Sequence, residues 1–124
     1  MKRKLVFTLL ILLLFNFVLA NCSAQSSNND QRIVGTWIYN GTTDNGTNYS
    51  ITYVFNANGS GTFTNTHPNL TGNYTFIYGI SITGEIIFSE VKGTGVRTIS
   101  SGKIYFSPDA KMLIIGENTA YRKK

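Results

Sequence analysis

The chain of 124 residues contains its only tryptophan within the segment IVGTWIY, residues 33–39. Alternate residues of this segment, Ile33, Gly35, Trp37 and Tyr39, fall on one face of an extended strand, because successive side chains of a β-strand point to opposite sides. β-Branched and aromatic residues fill the segment, as is typical of a pleated, half-buried surface. The segment therefore predicts the first strand of a β-structure, with Trp37 on its core side.

The rest of the chain extends this pattern. Short runs of β-branched and aromatic residues are separated by turn signals, of which Asn56-Ala57-Asn58-Gly59 is the strongest hairpin signal. Residues 40–48 hold two Asn-Gly pairs and predict a long loop, whereas residues 96–99 predict a further strand. No stretch after residue 31 has helical periodicity. The predicted fold class is all-β: a small antiparallel up-and-down β-barrel of roughly eight to ten short strands.

The N-terminal residues have the composition of an export signal. Three basic residues at positions 2–4 precede an apolar run, residues 5–20, which is short for a membrane-spanning helix. We therefore predict a signal-peptide helix in residues 1–21. Residues 22–31 are rich in Ser, Asn and Gln and predict a flexible tether, which leaves residues 32–124 as the barrel domain.

The end of this signal, Leu19-Ala20-Asn21-Cys22, resembles the lipobox of bacterial lipoproteins. The resemblance implies that Cys22 carries lipid chains such as palmitate and anchors the protein in a membrane of the bacterial cell envelope, where several chains hold stably. Ser23 favours delivery to the outer membrane. Because Cys22 is the only cysteine, no intrachain disulfide can form. The alternative is an unlipidated export signal followed by a free thiol.

The charged residues exclude several classes of function. Of the formal net charge of +5, three positive charges leave with the signal, and no basic stripe remains that would predict nucleic-acid binding. The six acidic residues are scattered over turns and strand ends, and His67 is the only histidine, which predicts a solvated loop residue. We therefore predict no enzyme activity, no metal site and no cofactor.

Three motifs resemble the small lipocalin-like domains, of the calycin group, that occur in bacterial lipoproteins. They are Gly35-Thr36-Trp37, the aromatic hairpin of residues 53–62, and Tyr121-Arg122 near the C-terminus. The resemblance implies that Arg122 packs over Trp37 and ties the last strand to the first, a cation–π contact worth about 0.5–2 kcal/mol. The alternative is that Arg122 begins a solvated basic tail.

An aromatic face is the candidate binding site. Seven residues are predicted to point into the barrel: Trp37, Tyr53, Phe55, Phe63, Tyr74, Phe76 and Tyr78. A barrel of this girth is either filled by its side chains or holds one small ligand. The first hypothesis is therefore a monomeric, lipid-anchored protein that binds a small hydrophobic or aromatic ligand inside its barrel. The alternative is a structural or protein-interaction lipoprotein with a filled core, which contacts its partner through loops such as residues 41–48.

Overall fold

Eight antiparallel strands follow one another around a closed barrel in a computed structural model, which describes residues 30–116 and 119–124. A short 3₁₀ turn, η1 (Gln31–Ile33), precedes them. The strands are β1 (Gly35–Thr42), β2 (Asn48–Phe55), β3 (Ser60–Asn65), β4 (Gly72–Ile80), β5 (Glu85–Gly95), β6 (Gly102–Phe106), β7 (Met112–Ile115) and β8 (Thr119–Lys123). The predicted all-β, up-and-down barrel is confirmed. The predicted signal peptide, Cys22 and the tether as far as residue 29 lie outside the described residues.

The first strand is shifted relative to the sequence-based expectation. Ile33 is fully buried, but it belongs to η1 rather than to β1. At the other end, β1 runs through Gly41 to Thr42, so that the predicted loop of residues 40–48 shrinks to a turn of residues 43–47. Eight consecutive cross-strand pairs with β2 hold these residues extended, and this pairing outweighs the low strand propensity of Asn and Gly.

The predicted strand at residues 96–99 is wrong. Strand β5 continues to Gly95, whose φ of 92° ends it, and the N–H of Val96 donates to the carbonyl oxygen of Thr71 instead of joining a sheet ladder. Residues 96–101 form a connection in which Ile99 is buried against the core. Ile99 therefore covers one end of the core instead of forming part of a strand, whereas Val96 is exposed.

The seams between strands differ in length. Eight residue pairs join β1 to β2, five join β2 to β3, and six join β3 to β4. By contrast, two pairs join β5 to β6, at Glu85–Lys103 and Ile86–Gly102, and two pairs join β1 to β8. The barrel is therefore closed all round, but its two shortest seams flank β6, β7 and β8.

Glycines make room for the large rings inside this narrow barrel. A Cβ built on Gly61 would lie 2.4 Å from the ring of Phe76, its cross-strand partner, and one built on Gly93 would lie 2.7 Å from the ring of Tyr74. The ring of Tyr49 covers Gly41 in the same way. Each of these aromatic rings thus lies over a glycine of the neighbouring strand. A residue with a side chain at that position would clash with the ring, so the glycines let the narrow interior hold large rings.

The two ends of the barrel carry different elements. The η1 end carries η1, the turns after β2, β4 and β6, and the C-terminus. The loop end carries the connections after β1, β3, β5 and β7. At the loop end the buried side chain of Asn65 accepts the N–H of His67 and lies 3.5 Å from the Thr98 hydroxyl, which joins two of these connections.

Candidate functional site

The barrel interior brings the predicted site residues together. Trp37, Tyr53, Phe55, Phe63, Tyr74, Phe76 and Tyr78 are all buried, with at most 8% of any of these residues exposed. The predicted set of seven does not include other members of the same core, which are supplied by several elements: Ile33, Ile86, Ile99, Leu113 and Tyr121. The alternation of side chains in β2 and β4 places the aromatic set correctly, and its role in ligand binding stays a prediction.

Tyr53 lies at the centre of this interior. Its ring centroid is 4.8 Å from that of Phe63 on the neighbouring strand and 5.2 Å from that of Tyr121 on β8. It also stacks on Phe88 of β5, with 6.0 Å between centroids and 21° between planes. These separations are those of aromatic rings in direct contact. Rings from β2, β5 and β8 therefore meet across the lumen, and side chains fill the centre of the barrel.

The buried tyrosine hydroxyls are engaged by the protein itself. The hydroxyl of Tyr74 donates to the carbonyl oxygen of Gly95 at 2.5 Å, and that of Tyr78 donates to the carbonyl oxygen of Asn56 at 2.7 Å. Burial raises the pKa of Tyr53, and burial together with the neighbouring Tyr39 raises the pKa of Tyr121 to about 12. The phenols of Tyr53 and Tyr121 are therefore neutral at physiological pH. The hydroxyls of Tyr74 and Tyr78 satisfy backbone carbonyl oxygens.

The η1 end is closed by a small network around Trp37. The indole N–H of Trp37 donates to the carbonyl oxygen of Ile33 at 2.6 Å, and this bond holds η1 over the end of the core. The guanidinium of Arg32 lies 4.6 Å from the centre of the Phe106 ring, a cation–π contact. η1 therefore covers this end of the core with the fully buried side chain of Ile33.

The cation over Trp37 is Lys123, which corrects the expectation for Arg122. The ammonium nitrogen of Lys123 lies 5.3 Å from the indole ring centre and 3.3 Å from the carbonyl oxygen of Arg32. In the β1–β8 ladder Trp37 pairs with Lys123, whereas Arg122 pairs with Ile38 and is exposed. Side chains alternate along a strand, so a register that differs by one residue exchanges the two cations. The tie between first and last strands is nevertheless present.

The loop end has a polar aromatic rim. His67 and Tyr49 pack edge to face, with 4.7 Å between ring centroids, and the Nδ1 atom of His67 accepts the N–H of Asn69. Beside them lies an open groove of about 520 Å³ bordered by the 43–47 turn. His67 is therefore a half-buried loop residue that packs on Tyr49 and orders its own loop, where the sequence predicts a solvated side chain.

The outer wall of the last strands is the second candidate surface. Tyr105 on β6 is 55% exposed and pairs with Ile114 on β7, which in turn pairs with Ala120 on β8. Two residues before Ile114 on the same face of β7, Met112 pairs with Arg122 on β8, and Arg122 pairs with Ile38 on β1. We call this four-strand surface the apolar wall. A groove of about 830 Å³ beside Tyr105 and Ile114 borders it on one side, and one of about 540 Å³ beside Met112 and Ala120 borders it on the other.

Among the described residues, the acidic side chains do not form a metal-binding group. Asp30 pairs with Arg32, which lowers the pKa of its carboxyl group, and the hydroxyl of Ser107 holds the pKa of Asp109 below its usual value. Within residues 30–116 and 119–124, no group of three His, Cys, Asp or Glu side chains could hold a metal ion. Over the same residues, no helix is long and apolar enough to span a bilayer.

Comparison with known proteins gives no matching family model, no matching characterised protein and no matching solved structure.

Proposed function

We propose that this protein is a lipid-anchored, non-enzymatic component of the bacterial cell envelope that acts through the outside of a solid barrel. The observation that carries the proposal is the meeting of Tyr53 with Phe88 and Tyr121 across the lumen. A ligand inside the barrel would have to displace these rings and lose their packing, whereas a partner on the outside finds exposed side chains already in place.

The lipid anchor is the second part of the proposal. Its support is the lipobox-like run that ends in Cys22, the basic and apolar segment before it, and the polar residues that separate it from η1. Acyl chains on Cys22 would hold the barrel beside an envelope membrane, and Ser23 favours the outer membrane. Incorporation of labelled palmitate into the expressed chain tests this step. We expect label in the wild type and in Ser23→Ala, and none in Cys22→Ser; label that persists in Cys22→Ser would refute the assignment.

Binding in the interior is the rival function, because a buried aromatic cluster also suits a small hydrophobic ligand. Native mass spectrometry of residues 23–124, incubated with palmitate or indole, separates the two. We expect only the mass of the polypeptide. An added mass that is lost in Tyr53→Ala but kept in Tyr105→Ala, with both variants folded, would establish interior binding and contradict the solid barrel. Tyr105 is the matched control because it is a tyrosine on the outer wall.

A further inference from the structure

We propose that the apolar wall of β6, β7, β8 and β1 lies against the surface of an anionic lipid bilayer. The inference rests on the proposed lipid anchor and adds which face of the barrel the membrane touches. It makes the wall a second point of attachment, in addition to the acyl chains.

The first step is the apolar character of the wall. Tyr105, Ile114 and Met112 are 55%, 36% and 37% exposed, and they are neighbours on adjoining strands. Single exposed apolar residues are ordinary on a protein surface, but a contiguous group of them marks a binding surface. Tyrosine is also enriched where water meets the apolar part of a membrane, because its ring is apolar and its hydroxyl is polar.

The second step is the charge around the wall. Besides Lys123, whose ammonium group lies over Trp37, four cationic residues lie on these strands or directly beside them: Lys103, Lys111, Arg122 and Lys124. Asp109 and Glu85 are acidic neighbours of the wall among the described residues, and they are fewer than the cations. The carboxylate of Asp109 accepts from Ser107 and from the N–H of Lys111, and Glu85 lies opposite Lys103 in the ladder. The excess of positive charge favours a negatively charged partner, and each cation close to an anionic membrane contributes about 1 kcal/mol of attraction.

The third step is the position of the N-terminus. The chain enters the barrel at Asp30, and the neighbouring residue Arg32 is in contact with Lys123 through its carbonyl oxygen. The segment from Cys22 to Asp30 can span less than about 30 Å even when fully extended. A barrel held this close to the membrane meets it at a high effective concentration, which adds to the affinity that the wall has for the bilayer on its own. The described chain therefore begins beside β8, which is one of the strands of the apolar wall.

A vesicle assay with residues 23–124, which lack the acylated cysteine, tests the wall separately from the anchor. All described core residues lie between Ile33 and Tyr121, so this chain contains the complete barrel core. The vesicles are phosphatidylethanolamine with about 30% phosphatidylglycerol, compared with neutral phosphatidylcholine. We expect co-sedimentation with the anionic vesicles that falls at least about fivefold on neutral vesicles and in high salt.

Matched variants locate the contact. Ile114→Asp and Arg122→Glu, both on the wall, should each reduce binding to anionic vesicles by about tenfold. Ile87→Asp and Lys92→Glu make the same chemical changes on β5, away from the wall, and should bind as the wild type does. Ile87 is 52% exposed, so this substitution leaves the core intact, and urea unfolding of all four variants checks that they are folded.

Three results would overturn the proposal. One is a wild type that binds neither kind of vesicle, and another is a loss of binding in the β5 controls equal to that in the wall variants. The third is a wild type that binds no vesicles but forms a concentration-dependent dimer, which Ile114→Asp dissociates. This result would assign the wall to contact with a second copy of the chain. Failure of the anchor gives a different result: Cys22 takes up no palmitate although the vesicles still bind.

Discussion

Strands β2, β3 and β4 differ in construction from strands β6, β7 and β8, although both groups close the same barrel. The first group, here called the aromatic side, has long ladders and provides six of the seven predicted interior aromatics. The second group, the thin side, has strands of four or five residues between two-pair seams, with apolar side chains on its outer surface as well as its inner one. We infer from this comparison that the aromatic side contributes most of the stability, whereas the thin side carries the proposed membrane contact.

The largest expected effect is the removal of a ring from the aromatic side. Phe55→Ala should lower the free energy of unfolding by about 3–5 kcal/mol, because Phe55 is 1% exposed and packs on Tyr53 and Tyr78. Ile104→Ala on the thin side, where the side chain is half-buried, should cost less than about 2 kcal/mol. Urea unfolding followed by the fluorescence of Trp37 measures both. Equal losses would remove the distinction between the two sides.

A glycine substitution on β5 tests how tightly that strand packs against the aromatic side. Gly93→Ala places a Cβ 1.9 Å from the carbonyl oxygen of Asn73 and should destabilise the barrel by about 1–3 kcal/mol. Gly79→Ala is the control in the same pair of strands, because nothing lies within 4 Å of its added Cβ, and it should be neutral or slightly stabilising. Thermal melts of the two variants give the comparison. A Gly93→Ala protein as stable as Gly79→Ala would mean that this seam is loose.

Tyr121 of the thin side contacts Tyr53 of the aromatic side, and the burial of Tyr121 should make the stability fall at alkaline pH. The pKa of Tyr121 is raised from 10.0 to about 12, so the unfolded chain loses this proton first. The stabilisation is complete below pH 10 and is lost as the pH rises toward 12. Urea midpoints over this range should fall less steeply in Tyr121→Phe than in the wild type. Tyr105→Phe, altered on the outer wall, should keep the wild-type slope; a Tyr121→Phe slope identical to it would contradict the assignment.

The smallest expected effect concerns the closing seam at β8. Lys123→Met removes the charge over Trp37 and should cost about 0.5–1 kcal/mol, the value of an exposed cation–π contact. Arg122→Met, one residue earlier in the same strand, should change the stability by less than about 0.5 kcal/mol. The same unfolding assay distinguishes them. A larger loss for Arg122→Met would favour the register expected from the Tyr121-Arg122 motif.

The parts of the fold that could be predicted from the sequence are those governed by alternation within one strand. Tyr53 and Phe55 in β2, and Tyr74, Phe76 and Tyr78 in β4, follow a strict period of two, which fixes their common face without knowledge of any partner. The turn of residues 56–59 could also be predicted, because Asn and Gly favour the backbone conformation that a tight turn requires. These local signals were enough for the all-β barrel and its aromatic interior.

The errors arose where a distant residue decides the outcome. Gly41 belongs to a strand because β2 pairs with it and the ring of Tyr49 packs over it. Ile99 lies outside the sheet because its side chain is buried against the end of the core. The exchange of Arg122 for Lys123 reflects a register between the first and last strands, which no local pattern encodes. The apolar wall was missed for a related reason: Tyr105 and Ile114 are neighbours only after β6 and β7 have paired.

The hydrogen bond between Trp37 and Ile33 has a mechanical consequence. Any pull on the chain before Asp30 reaches η1 first and passes through this bond and the backbone into β1. There it loads the eight-pair ladder with β2 and the two-pair ladder with β8 along the strand direction, in shear. Because the pairs of a sheared ladder resist together and not one after another, β1 carries this tension on its eight pairs with β2 and its two pairs with β8 at the same time.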